Sequence, residues 1–199
     1  MKKYFFHLVN RAGLFHTLPM KPVLPERGTP QLAMAKMHLD NLPPLRLEAG
    51  YQLRHFENGD EGGWNALVGK SFDSFYDFDG TLLRDPFFHP ARVLFLEYGY
   101  QLVATACAWR SEKWGKNTGV LHMVAALPEH RGHHLGYHIS LAALHQLARE
   151  GLHHAVLQTD DDRLPAIVTY LKLGFQPYLC DPGQAARWEK IYRYLNLTA

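Results

Sequence analysis

Val124–Ser140 reads VAALPEHRGHHLGYHIS, and its periodicity changes halfway along. The first residues are apolar and strand-like. Pro128 ends that run, and a polar turn containing Arg131 and Gly132 follows. From Leu135 onward the pattern is helical. Leu135, Ile139, Ala142, Ala143 and Leu147 share one face, and Gly151 supplies a C-terminal stop. A strand, a tight turn and a helix N-terminus in that order form a cradle for an anion. The first-turn N–H groups point outward unpaired, and the helix dipole favours negative charge there. A pyrophosphate fits such a cradle.

Working outward, three β-rich runs precede this stretch or lead into it: Val93–Glu97, Leu102–Trp109 and Gly119–Ala126. Turns rich in Gly, Lys and Asn join them, which predicts an antiparallel meander. Tyr51–Phe56 alternates and predicts an earlier strand, and Trp64, Leu67, Val68 and Phe72 lie at helical spacing. Downstream, HHAVLQT is a short buried strand. DDDRLPAIVTYLKLGF is a second helix, with Asp160, Asp161 and Asp162 read as capping residues and Gly174 closing it. The predicted fold class is α+β, a mixed and mostly antiparallel sheet with helices on both faces. Residues 1–50 carry prolines at 19, 22, 25, 30, 43 and 44. They are read as an N-terminal extension with one short helix near Gln31–Leu39, and residues 51–199 as the main domain.

Composition narrows the class. A chain of 199 residues supports one good core. It is 47% apolar and 20% charged with a net charge of +2, which reads as soluble and carries no nucleic-acid footprint. No apolar run reaches the roughly 18 residues that span a bilayer. The start MKKYFFHLVNRAGLF is interrupted by His7, Asn10 and Arg11, and no small-residue cleavage site follows. Two cysteines without metal-like spacing, Cys107 and Cys180, suit a reducing compartment. The expected location is cytoplasmic.

Asp77–Leu82, DFDGTL, resembles the nucleophile motif of haloacid-dehalogenase-like phosphatases. That chemistry needs a buried parallel strand before the first aspartate, and GKSFDSFY is not one. The stretch reads instead as a loop with an Asp-Gly turn, packed by Phe75, Phe78 and Leu82.

Two other motifs occur in order. Ala126, Pro128, Arg131 and Gly136 match V-x-P-x-x-R/Q-x-x-G-x-G/A, with His134 at the first glycine position. Ala166-Ile167 and Tyr170-Leu171-Lys172-Leu173-Gly174-Phe175 match an alanine-containing helix ending Y-x-x-L-G-F. Together they resemble the GNAT superfamily of acetyl-CoA-dependent N-acetyltransferases, over about Tyr51–Phe175. The resemblance implies a GNAT-like fold and acetyl-CoA as cosubstrate. It implies that Arg131, Gly132, His133, His134, Leu135 and Gly136 wrap the pyrophosphate. Ala125, Ala126 and Leu127 would hold the pantetheine arm along a splayed strand, and Tyr170 would protonate the departing thiolate. His134 is expected to do without a positive φ, with its ring turned from the ligand. Arg163 stands where many members carry asparagine, and is open between a cofactor contact and a surface role.

An amine acceptor also needs a base. His122, on the strand entering the cradle, is the candidate, ahead of Glu129 in the turn. His130, His133, His134, His138 and His145 cluster, but no cysteine or carboxylate at ligand spacing completes a site, so no metal is expected. The expected function is acetyl transfer to an amine-bearing small molecule or peptide, with no nucleic-acid or membrane partner. A non-catalytic CoA-binding module and, behind it, a phosphatase are the alternatives, and a homodimer is an open arrangement. The aromatic segments Phe72–Phe88 and Trp109–Trp114 are expected to wall the acceptor site.

Overall fold

The structure, a computed structural model, describes residues 24–197. The segment Met1–Phe15, weighed above as a leader, lies outside the described residues. In chain order the elements are β1 (Leu32–Lys36), β2 (Tyr51–His55), α1 (Glu61–Phe72), β3 (Val93–Tyr98), β4 (Gln101–Arg110), β5 (Thr118–Ala126), α2 (Leu135–Arg149), β6 (His154–Thr159), α3 (Leu164–Lys172), β7 (Gln176–Pro177) and α4 (Gln184–Tyr194). All the strands join one sheet in the order β2-β3-β4-β5-β6-β1-β7. The β3 to β5 meander is antiparallel, as expected, and β2 extends it by pairing antiparallel with β3. β5 and β6 are parallel, which requires a crossover, and α2 provides it.

Alternation sorts the side chains into two cores. Leu94, Leu96, Ala104, Ala106, Ala108 and Leu121 meet α2, α3 and α4 on one face through Ile139, Leu144, Ile167, Trp188 and Ile191. Val93, Phe95, Cys107, Trp109 and Ala125 meet Trp64 and Val68 of α1 on the other. Helices therefore cover both faces. Gly119 marks the tightest contact beneath α2: a Cβ there would stand 2.5 Å from a Leu147 methyl.

The DFDGTL stretch serves the second core. Asp79–Leu83 forms a single π-helical turn, and Phe78 and Leu82 are fully buried. Phe78 stacks on Phe56 at 4.8 Å. Phe75, expected to pack here, is instead 88% exposed. Asp77 accepts the Gly80 N–H at 2.9 Å, closing the expected turn.

Two expectations are corrected. Gln31–Leu39 contains no helix: Leu32–Lys36 is a strand, paired antiparallel with β6 on one side and β7 on the other. This part of the proline-rich segment therefore lies inside the sheet. Asp160, Asp161 and Asp162 do not cap α3, whose N-cap is Arg163 without a side-chain cap bond. They hold distant chain instead. Asp162 accepts from Arg27 at 2.8 Å, Asp160 from Gln31 at 2.9 Å, and Asp161 from Arg187 of α4 and the Gly28 N–H.

Candidate active site

β5 and β6 pair only from Thr118↔His154 to Val120↔Val156. Beyond that point they part, because each is held by a different neighbour. β6 stays in register with β1 as far as Thr159. β5 stays with β4 but carries one extra residue: Thr105 faces Ala125, whereas Cys107 faces His122. The extra residue is Met123, at φ 47°. Such a bulge bends a strand and sharpens its twist, opening a gap towards the β5 C-terminus.

Alternation decides which backbone groups face that gap. The Leu127 N–H donates to the Val103 carbonyl at 2.9 Å, so Leu127 and Ala125 turn their backbone groups to β4. Val124 and Ala126 turn theirs into the gap. Of the trio Ala125–Leu127, therefore, only Ala126 can offer an added strand its N–H and C=O. The Ala126 carbonyl lies 3.1 Å from the Ser71 hydroxyl, at the end of α1.

The turn after β5 has the expected shape. The Leu127, Pro128 and His130 carbonyls accept the N–H groups of His130, Arg131 and His133 at 3.2–3.4 Å. The N–H groups of Gly132, His134, Leu135 and Gly136 have no hydrogen-bond acceptor among the described residues. Four free donors at the start of a fifteen-residue helix fit an anionic group such as a pyrophosphate. Arg131 is exposed beside them. A Cβ added at Gly136 would meet nothing within 4 Å, which leaves room over the cradle. His134 departs from expectation: it adopts φ 52°, ψ 29°, the left-handed region that favours glycine. Relieving that strain with His134→Gly should raise stability by about 0.5–1 kcal/mol. An unchanged or lower urea midpoint would contradict the assignment.

Three other histidines have distant partners, and the buried His138 Nδ1 has none among the described residues. His130 Nδ1 meets the Tyr51 hydroxyl at 2.8 Å, His133 Nδ1 meets Glu48 at 2.6 Å, and His145 Nε2 meets the Pro43 carbonyl at 2.9 Å. No group of three or more His, Cys, Asp or Glu among the described residues is arranged to hold a metal. Glu129 pairs with Lys70.

The two candidate catalytic side chains reach the sheet from opposite faces. Tyr170 projects from α3 into the larger core, with its ring 6.1 Å from Phe175. Burial pushes its phenol up to about 12, against a lowering pull from Arg163. Its hydroxyl makes no hydrogen bond among the described residues, so no structural partner claims its proton. His122 lies on the α1 face, its ring 6.3 Å from Trp109. Burial holds its imidazole below the ordinary histidine value, partly offset by Asp85, and so favours the neutral ring.

The profile of the Acetyltransferase (GNAT) family matches residues 53–175. The chain belongs to that family. Among curated relatives, a mycothiol acetyltransferase of Streptomyces bingchenggensis is 30% identical over 149 residues, 71% of this chain and 48% of its own. One from Thermobispora bispora is 32% identical over 151 residues, covering 70% and 51%. The chain thus spans about half the length of the curated relatives it matches. A GCN5-related N-acetyltransferase of Sphaerobacter thermophilus shares the fold with a TM-score of 0.60 at 20% identity, covering 77% of this chain and 49% of that one.

Within this GNAT frame, the fold adds residues that sequence reasoning missed. Arg163, left open above, places its guanidinium 4.3 Å over the Phe72 ring and donates to Asp160 at 3.1 Å. Ser71 and Phe72 thus bring the end of α1 against both sides of the gap, Ser71 to β5 and Phe72 to α3. Asp85, whose charge acts on His122, was hidden in a proline-broken loop. No local pattern announces these contacts, because each joins segments far apart in sequence. A groove of about 390 Å³ between α1 and the β3–β4 turn is lined by Arg54, Lys70 and Tyr100 and reaches Leu127 at the end of β5. Among the described residues no helix is long and apolar enough to cross a membrane.

Proposed function

We infer that the protein is an N-acetyltransferase, moving the acetyl group of acetyl-CoA directly to the amine of a small molecule. The observation that carries this reading is the alignment of the β5–β6 gap with the four free N–H groups of Gly132, His134, Leu135 and Gly136. A pantetheine arm extends from a pyrophosphate as an added strand would from a turn. Relatives named mycothiol acetyltransferases favour a small-molecule acceptor over a peptide.

Acetyl-CoA supplies a thioester whose carbonyl carbon the amine attacks. The backbone donors of Val124 and Ala126 face the strip where negative charge develops on the carbonyl oxygen. His122, approaching from the α1 face, takes the proton released by the amine as the N–C bond forms. Tyr170, from the α3 face, gives a proton to the sulfur as the C–S bond breaks. The two protons re-equilibrate through solvent, so the enzyme is unchanged. Base and acid on opposite faces suit a direct transfer with no covalent enzyme intermediate.

CoA should raise the melting temperature in a concentration-dependent way, by about 2.7 kcal/mol of stabilisation at a hundredfold excess over Kd. Gly136→Trp, which fills the space over the cradle, should remove the shift while leaving the unliganded melting temperature close to wild type. Absence of any shift with CoA or acetyl-CoA at millimolar concentration would defeat the reading.

A further inference from the structure

On the α1 face, register aligns two rows of side chains. Ala33 stands opposite Gln158, and the Tyr178 N–H donates to the Ala33 carbonyl at 2.9 Å, so Tyr178, Ala33 and Gln158 form one row. Gln176, Ala35, Val156 and Val120 form the next. Leu32, Met34 and Leu157, between them, turn to the opposite core. α1 packs on β4 and β5, whereas α2, α3 and α4 bury their apolar sides in that opposite core. Over β6, β1 and β7 no α-helix among the described residues packs on this face as α1 does on β4 and β5.

Aromatic rings stand there instead. Trp114, from the short turn between β4 and β5, meets Tyr178, just after β7, with ring centroids 6.1 Å apart. Tyr178 is 46% exposed, so the pair is not a core contact. Its rings come from segments that no local element brings together. The Lys113 ammonium sits 4.8 Å from the Trp114 ring. On the same face lie His122 and Trp109, and beyond them Phe72 and Tyr76, whose rings are 5.4 Å apart. The Trp114–Tyr178 pair, the Phe72–Tyr76 pair and His122 thus share one face of the sheet.

We propose that Trp114 and Tyr178 form the specificity wall of the acceptor site and select a compact primary amine carrying an aromatic or apolar body. The proposal rests on the acetyl-transfer reading above. Ring edges and faces regain apolar contact by stacking on such a body, and exposed Gln158 offers an amide to a polar substituent. A polyamine is disfavoured, because Lys113 already supplies a cation at the Trp114 ring and would repel a second.

Acetyl transfer to phenethylamine and to spermidine, followed by release of free thiol, tests this. The wild type should prefer phenethylamine. Trp114→Ala and Tyr178→Ala should each raise the KM for phenethylamine about three- to tenfold, the range expected for one lost aromatic contact. The kcat and the CoA-induced melting shift should be unchanged, and Tyr178→Phe should restore the KM. Preference for spermidine, no transfer to phenethylamine, or an unchanged KM in both alanine variants would each overturn the proposal while CoA still raises the melting temperature. Loss of that shift in the wild type would instead overturn the acetyl-transfer reading beneath it.

Discussion

Tyr170→Phe should lower kcat by about 10²–10⁴-fold, the usual contribution of a positioned general acid. The substitution keeps the ring against Phe175 and removes only the hydroxyl, which has no hydrogen-bond partner among the described residues. Packing is therefore conserved and melting should change little. Acetyl-CoA affinity should also hold, because the phenol matters chiefly once charge builds on sulfur. With its phenol pushed up to about 12 by burial, Tyr170 stays protonated across the working range. It should add no alkaline limb to the pH profile. A wild-type kcat in the variant, under conditions where chemistry limits turnover, would return Tyr170 to the core as a packing residue.

The second large effect is on stability. Asp161→Ala should cost about 2–4 kcal/mol, or roughly 5–15 °C in melting temperature for a chain of this size. Asp161 is 2% exposed and accepts Arg187 through both oxygens, at 2.8 and 2.6 Å, as well as the Gly28 N–H. Arg187 also donates to the Pro30 carbonyl at 2.6 Å. Removing the carboxylate leaves that guanidinium without its counter-charge and frees both α4 and the segment leading into β1. Burial alone would raise the Asp161 carboxyl, but Arg187 outweighs it and holds it below the usual carboxylate range. The sign follows from linkage. The pair's contribution is present above the unfolded carboxylate value and is lost as pH falls through the lower folded one. Thermal melts from pH 7 to pH 3 should therefore show a shallower acid decline for Asp161→Asn than for wild type. A melting temperature equal to wild type for Asp161→Ala would show that the clasp contributes nothing.

The residues around the cradle were legible because their signal is local. Strand period, Pro128, the Arg-Gly turn and the 3.6-residue pattern from Leu135 each act within a few positions, and each constrains the next. The same holds for the β3–β4–β5 meander, for α1 with Trp64, Leu67 and Val68, and for Tyr170 on a helix closed by Gly174, which takes φ 84°. These features specify an α+β fold with free N–H groups at one helix start.

Tertiary structure decided what local preference left open or pointed the wrong way. Leu32–Lys36 reads LAMAK, all good helix formers, yet it is a strand. Its backbone pairs with β6 on one side and with β7 on the other, and closing those two ladders outweighs a per-residue propensity of a few tenths of a kcal/mol. Asp160–Asp162 suit a helix cap, but Arg27, Arg163 and Arg187 offer charged partners, and charge-assisted bonds are about twice as strong as neutral ones. Met123 and His134 take left-handed backbone that neither side chain prefers. Sheet register imposes the first and the strand-to-helix turn the second. The gap itself is a tertiary product: β5 keeps faith with β4 and β6 with β1, and no single segment of the sequence encodes the divergence between them.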